Sequence, residues 1–202
     1  QGQVCCAGTR LFVEEKLHDE FADALASTAC GMQQGSGLDP ASQIGPLVSQ
    51  EQLERVTGYL EIGKREGARP LAGGERNLAP GLEKGYFVKP TVFTGVRNDM
   101  RIAREEIFGP VVSVIPFKDE HDAVLQGNDT PYGLAAGVWT RDVGKAHRVA
   151  RALRAGTVWI NCYNVLDATS PFGGYKESGY GRELGRYALD LYTQVKSVWL
   201  RL

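Results

Sequence analysis

Apolar and polar positions along the chain alternate with two periods. Period two, or a short apolar run, predicts strands at residues 9–13 (T-R-L-F-V), 69–72, 86–96, 111–117 (V-V-S-V-I-P-F), 133–139 (G-L-A-A-G-V-W) and 157–161 (T-V-W-I-N). Helical spacing governs residues 16–30, where Leu17, Phe21, Leu25 and Ala29 recur at every fourth position. It also governs residues 49–66, with Leu53, Val56, Leu60 and Ile62 as the apolar face, Ser49 as N-cap and Gly67 in the C′ position. Further helices are predicted over 119–128, 142–153 and 187–192. Pro90 limits how centrally the 86–96 strand can sit. Turn-rich connections occupy 31–45 and 73–85, and a long Gly- and aromatic-rich loop occupies 164–185. Strands alternating with helices define an α/β class, a largely parallel layered sheet with flanking helices. Residues 195–202 (V-K-S-V-W-L-R-L) alternate like a strand with no helix after it, a candidate for pairing outside the domain's own sheet.

Composition narrows the function. The chain has 202 residues, 43% hydrophobic and 23% charged, enough to bury a real core and too apolar for disorder. A net charge of -1 without a basic block excludes the electrostatic footprint of a nucleic-acid binder. No apolar run approaches a membrane span, and none opens the chain as a signal peptide. The four cysteines, at positions 5, 6, 30 and 162, do not form a disulfide framework, which favours a reducing, cytoplasmic setting. Gln1 rather than Met opens the chain, so a piece of a longer protein is expected.

Three segments carry candidate chemistry. The first is G-Q-V-C-C-A-G at residues 2–8; a cysteine among small residues is ordinarily a packed small hydrophobe, and no histidine stands near it in sequence. His18, His121 and His147 read as solvated positions on predicted helices, which leaves a Cys-His hydrolase poorly supported. No cysteine or histidine spacing matches a metal site. The second segment, R-E-E-I-F-G-P at 104–110, reads as a helix end turning into the 111–117 strand; its adjacent carboxylates are not an acid/base pair by spacing. The third, S-P-F-G-G-Y-K-E-S-G at 170–179, lacks the Walker spacing, but a loop this long is more often functional than accidental.

Taken in order, these segments resemble the aldehyde dehydrogenase superfamily, in its NAD(P)-dependent, non-phosphorylating, general aldehyde-oxidising branch. Four further stretches extend the resemblance: I-G-P-L-V-S at 44–49, G-Y-F-V-K-P-T-V at 85–92, N-D-T-P-Y-G-L-A-A-G-V at 128–138 and G-T-V-W-I-N at 156–161. The resemblance implies the C-terminal part of such an enzyme: a catalytic domain at 1–185, then a terminal helix and oligomerisation strand at 186–202. It assigns the dinucleotide-binding domain, the general-base glutamate and the oxyanion-hole asparagine to sequence outside this chain. NAD or NADP is the implied cofactor, a small-molecule aldehyde the substrate, and a homo-oligomer, dimer or tetramer, the assembly; neither nucleic acid nor membrane is implied.

The resemblance also implies residue roles. Cys5 is the nucleophile, with Cys6 a packed neighbour; a helix N-terminus there would lend Cys5 thiolate character. Glu106 holds the nicotinamide ribose and Phe108 packs against the nicotinamide end. Gln52 and Arg55 fall where the family contacts the adenosine side, though helix-surface Gln and Arg are usually just solvated. Asn164, Leu166 and Phe172 line the aldehyde entrance, and Leu166, where relatives often carry an aromatic, implies a wider pocket. Glu183 resembles a buried glutamate that relays protons, or one in a structural pair with an arginine. At residues 34–40 (Q-G-S-G-L-D-P), Gly37 replaces rigidity the family usually draws from a proline. A CoA-acylating relative and a catalytically inactive assembly module are the alternative readings.

Overall fold

Strand β4 (Val111–Phe117) organises the first half of the molecule. It pairs in parallel with β1 (Arg10–Glu14) on one side and β3 (Thr91–Thr94) on the other. Strand β2 (Arg69–Ala72) closes the sheet antiparallel to β3, giving the order β1-β4-β3-β2. The computed structural model describes residues 1–202, folded as two units, residues 1–129 and residues 130–202.

In the first unit both sheet faces are covered, which is why β3 and β4 read as apolar runs. On one face lie α2 (Gln50–Arg65) and α3 (Arg101–Arg104); Leu53, Val56 and Leu60 pack with Phe93, Ile102 and Ile115. On the other lies α1 (His18–Gly31), whose Ala22, Ala26 and Ala29 meet Val13, Val92 and Val114. Helix α2 begins as the sequence predicts: the Ser49 hydroxyl accepts from the Gln52 N–H at 3.2 Å. It ends at Gly67 in the left-handed region, φ +97°. Asp119 caps α4 (Glu120–Asn128), accepting from the Asp122 N–H at 2.9 Å. The 31–45 connection is held despite Gly37: Gln34 bridges Ile44, and its side-chain amide donates to the Val88 carbonyl at 2.8 Å.

In the second unit β6 (Ala135–Val138) runs parallel to β7 (Thr157–Ile160), and α5 (Val143–Ala152) packs on both, capped by Asp142. Strand β5 (Tyr132–Gly133) pairs antiparallel with the short β8 (Tyr175–Lys176) inside the long loop. A helical turn over 186–188 leads into α6 (Leu189–Tyr192). Residues 193–202 form no ladder in the single chain, and they expose Val195, Val198, Trp199, Leu200 and Leu202.

Four expectations are corrected. The buried stripe of α1 is His18, Ala22, Ala26 and Ala29, while Leu17 and Phe21 stay about half exposed. Small side chains let the helix approach the valine-lined sheet, and the larger ones flank that contact. His18 is therefore not solvated: it is buried at the start of α1, with Nδ1 2.8 Å from the Asp19 carboxylate. The strand predicted over 86–96 is only Thr91–Thr94, yet it is interior; it starts one residue after Pro90, so proline costs no ladder bond. Residues 4–6 form a turn, closed by the Ala7 N–H donating to the Val4 carbonyl at 2.9 Å, and no helix starts at Cys5. No helix is long and apolar enough to cross a membrane.

Candidate active site

The turn that carries Cys5 is pinned on both sides. Upstream, the Gln3 carboxamide oxygen accepts from the Val48 N–H at 3.0 Å, just ahead of α2. Gly2 sits at φ +73° against the backbone of Gly109: a Cβ there would strike the Gly109 carbonyl. The two adjacent cysteines separate chemically. Cys6 is buried and Cys5 exposed. Burial, and then the neighbouring Cys5 sulfur, push the Cys6 thiol up, so it stays protonated at neutral pH. An accessible thiol beside a buried, protonated one leaves Cys5 as the available nucleophile of the pair.

Gly109 ends the segment that contains both adjacent glutamates, and α2 grips that segment by its main chain. Gln52 Nε2 donates to the carbonyls of Ile107 at 3.0 Å and Phe108 at 2.7 Å. An Arg55 guanidinium N–H donates to the Glu106 carbonyl. Val56 fills the space a side chain at Gly109 would need, with Cγ2 2.5 Å from that Cβ position. Phe108 stands at φ 61°, a conformation that an L-residue keeps only where its surroundings impose it. The donors of α2 supply that constraint.

The two carboxylates have different tasks. Glu105 takes a forked pair of bonds from Arg101, both 2.8 Å, and a third from the Tyr59 hydroxyl at 2.8 Å. The Arg101 bonds, then Tyr59, hold its carboxyl at about 2, well below the ordinary range. Burial and the Glu105 bond push the Tyr59 hydroxyl up. The guanidinium groups of Arg55 and Arg101 lie 5.3 and 5.9 Å from the Tyr59 ring centre. Glu105 is thus committed to structure. Glu106 is exposed, with its carbonyl held by Arg55. An exposed carboxylate on a fixed backbone is a suitable acceptor for the vicinal hydroxyls of a ribose, so these residues fit a dinucleotide.

Sequence reasoning overlooked Tyr59 and Gly2. Gln52, Arg55 and Tyr59 fall three and four residues apart, one polar row beside the apolar face of α2, and that spacing was a usable signal. The structure gives the Gln52 amide and one Arg55 N–H to the 106–108 backbone rather than leaving them solvated.

In the second unit, Asn164 (φ 57°) and Leu166 are exposed on the loop after β7, and Phe172 is half-buried. Glu183 departs from expectation: its carboxylate is exposed and in no ion pair, so it is neither a buried relay nor half of an arginine pair in this chain. Its main chain pairs with Phe172, with both N–H···O bonds at 2.7 Å, because residues 172 and 183 form the neck of the long loop.

The family model described as aldehyde dehydrogenase family matches residues 1–198. The betaine aldehyde dehydrogenase of Mesorhizobium japonicum is 52% identical over 199 residues, 98% of this chain and 41% of the relative. Human mitochondrial aldehyde dehydrogenase is 48% identical over 202 residues, 100% of this chain and 38% of the relative. Among solved structures, the NAD+ complex of an aldehyde dehydrogenase from Bacillus cereus superposes with a TM-score of 0.95 at 56% identity, covering 100% of this chain and 40% of that one. The chain belongs to the aldehyde dehydrogenase family. It spans about 40% of the length of the relatives it matches.

Proposed function

We propose that this chain is the nucleophile-bearing part of an enzyme that oxidises an aldehyde to a carboxylic acid with NAD(P)+. The observation that carries the reading is the joining of two features through one contact, Gly2 against Gly109: an accessible Cys5, and a clamped segment presenting Glu106 and Phe108. The Cys5 thiolate attacks the aldehyde carbon, forming a carbon–sulfur bond and an alkoxide. The Cys5 main-chain N–H is suited to stabilise that oxyanion. Glu106 would accept from the ribose hydroxyls of a bound dinucleotide and Phe108 would pack on its nicotinamide end; the group would supply the acceptor for the hydride that leaves the tetrahedral carbon. Cys5 would then carry the acyl group as a thioester, which water hydrolyses to the acid and the free thiol. The general base for that water belongs to sequence outside this chain. NAD+ is the form bound by the Bacillus cereus relative.

The test is aldehyde-dependent NAD(P)H formation by the complete enzyme, followed at 340 nm, with Glu106→Gln beside the parent. Removing the charge from this acceptor is expected to raise KM for NAD(P)+ about tenfold, the scale of a charge-assisted hydrogen bond. The rate of Cys5 alkylation should not change. An unaltered KM would remove Glu106 from the cofactor site.

We also infer that residues 195–202 pair with a second copy, giving a dimer or tetramer. Five exposed apolar side chains on a segment without a ladder support strand addition. Deleting residues 193–202 is expected to lower the mass seen by light scattering to that of a smaller assembly; an unchanged mass would locate the interface elsewhere.

A further inference from the structure

Cys5 and Cys6 share one turn, and the turn presents only one of the two sulfurs. It runs from Val4 to Ala7, closed by the Ala7 N–H on the Val4 carbonyl at 2.9 Å, so the cysteines hold its two central positions. There the side chains diverge: Cys5 is exposed, and Cys6 is 7% exposed. The closing bond joins two main-chain groups and is indifferent to which sulfur lies inside. What fixes the choice is the orientation of the turn on the rest of the first unit. Gln3, half-buried, is the residue immediately ahead of the turn, and its Oε1 accepts from the Val48 N–H at 3.0 Å. That donor is held from both sides. Leu47 is buried in the apolar core, and its own N–H donates to the Tyr86 carbonyl at 2.9 Å. Ser49 caps α2 through its hydroxyl. The Val48 side chain is 75% exposed, so Gln3 takes hold of fixed main chain.

We propose that Gln3 is a positioning residue for the nucleophile: its bond to the Val48 N–H orients the 4–7 turn and so selects Cys5 over Cys6 as the sulfur offered to an electrophile. The proposal rests on the reading of Cys5 as the nucleophile, but the selection itself is read on the two thiols, without substrate or cofactor. Gln3 acts through the main chain it anchors. Without its bond the turn would rotate about the Gly2–Gln3 main chain, where Gly2 has no side chain to resist. Cys5 would then spend less time exposed, and Cys6 more.

The experiment compares the complete enzyme with its Gln3→Leu variant, which keeps the bulk and loses the acceptor. Both are treated with iodoacetamide, and the adducts on Cys5 and Cys6 are separated by fragmenting the labelled peptide. Cys30 and Cys162, also exposed, serve as internal references. In Gln3→Leu the Cys5 rate is expected to fall about fivefold against those references, the scale of one neutral hydrogen bond, and Cys6 to take up label. Gln3→Glu keeps an acceptor oxygen at the same reach and is expected to retain the parental partition between the two sulfurs. A purely structural role would lower the stability of Gln3→Leu and leave the partition alone. The parental partition in Gln3→Leu, whatever its stability, overturns the proposal. So does a Gln3→Glu variant that loses the partition as fully as Gln3→Leu, since the acceptor is then not what matters. If Gln3→Leu does not accumulate folded, Gln3→Asn holds the acceptor one methylene short of Val48 and is expected to shift the partition the same way; the parental partition there overturns the proposal. Full turnover by Cys5→Ala would refute the reading of Cys5 as nucleophile, whereas the labelling would still decide whether Gln3 orients the turn.

Discussion

Cys5→Ala is expected to abolish aldehyde-dependent NAD(P)H formation by the complete enzyme, a loss on the order of 10⁴-fold or more, as when a covalent nucleophile is deleted. The substitution removes one exposed sulfur and should leave the fold intact, since Cys5 belongs to neither apolar core. Cys6→Ala is the informative contrast. Its thiol is buried and raised, so it cannot stand in as a thiolate near neutral pH, and its loss should leave most turnover in place. Peptide mapping after iodoacetamide gives a second view. Cys30 and Cys162 are also exposed and will react, so total labelling decides nothing. Inactivation should follow the Cys5 adduct, with Cys6 unmodified. Full activity in Cys5→Ala would refute covalent catalysis at this turn.

Gly2→Ala should reduce kcat/KM by about 10²-fold, the scale expected when a reacting group is displaced by about 1 Å. Two effects combine. An alanine at φ +73° adopts a conformation that disfavours any Cβ. Its methyl would also lie 2.7 Å from the Gly109 carbonyl carbon, and that obstacle is backbone held in turn by Gln52 and Val56. The chain must give at the Cys5 turn or at the Glu106 segment, and both belong to the proposed site. Circular dichroism should remain unchanged, because the contact lies outside the helices and strands. Gly37→Ala is a suitable control: a Cβ there meets nothing within 4 Å and the backbone is ordinary. Parental kinetics in Gly2→Ala would mean that the two segments are not mechanically joined.

The regular elements were legible from periodicity and end signals because those report local physics. Ser49 caps its helix as predicted, and the 69–72 and 111–117 strands have the predicted limits. What escaped is what depends on partners far along the chain. The face of α1 was misjudged because periodicity rewards large apolar residues, whereas the sheet selected the small ones. His18 was buried by the same rotation. Within the candidate site, Cys5 and Glu106 are read from motif. The reason Glu105 differs from Glu106 lies in Arg101 and Tyr59, and the bonds that separate their tasks span up to 46 positions. Arg101, four residues before Glu105, was a local signal that could have set the two glutamates apart; the Tyr59 bond was not.

The grip of α2 on residues 106–108 has a consequence for how such a site can change. All three donated bonds end on main-chain carbonyls, which every residue possesses. The loop's shape is therefore insulated from the identity of the side chains it displays. Positions 106 and 108 can therefore exchange one side chain for another while the main chain that displays them stays put.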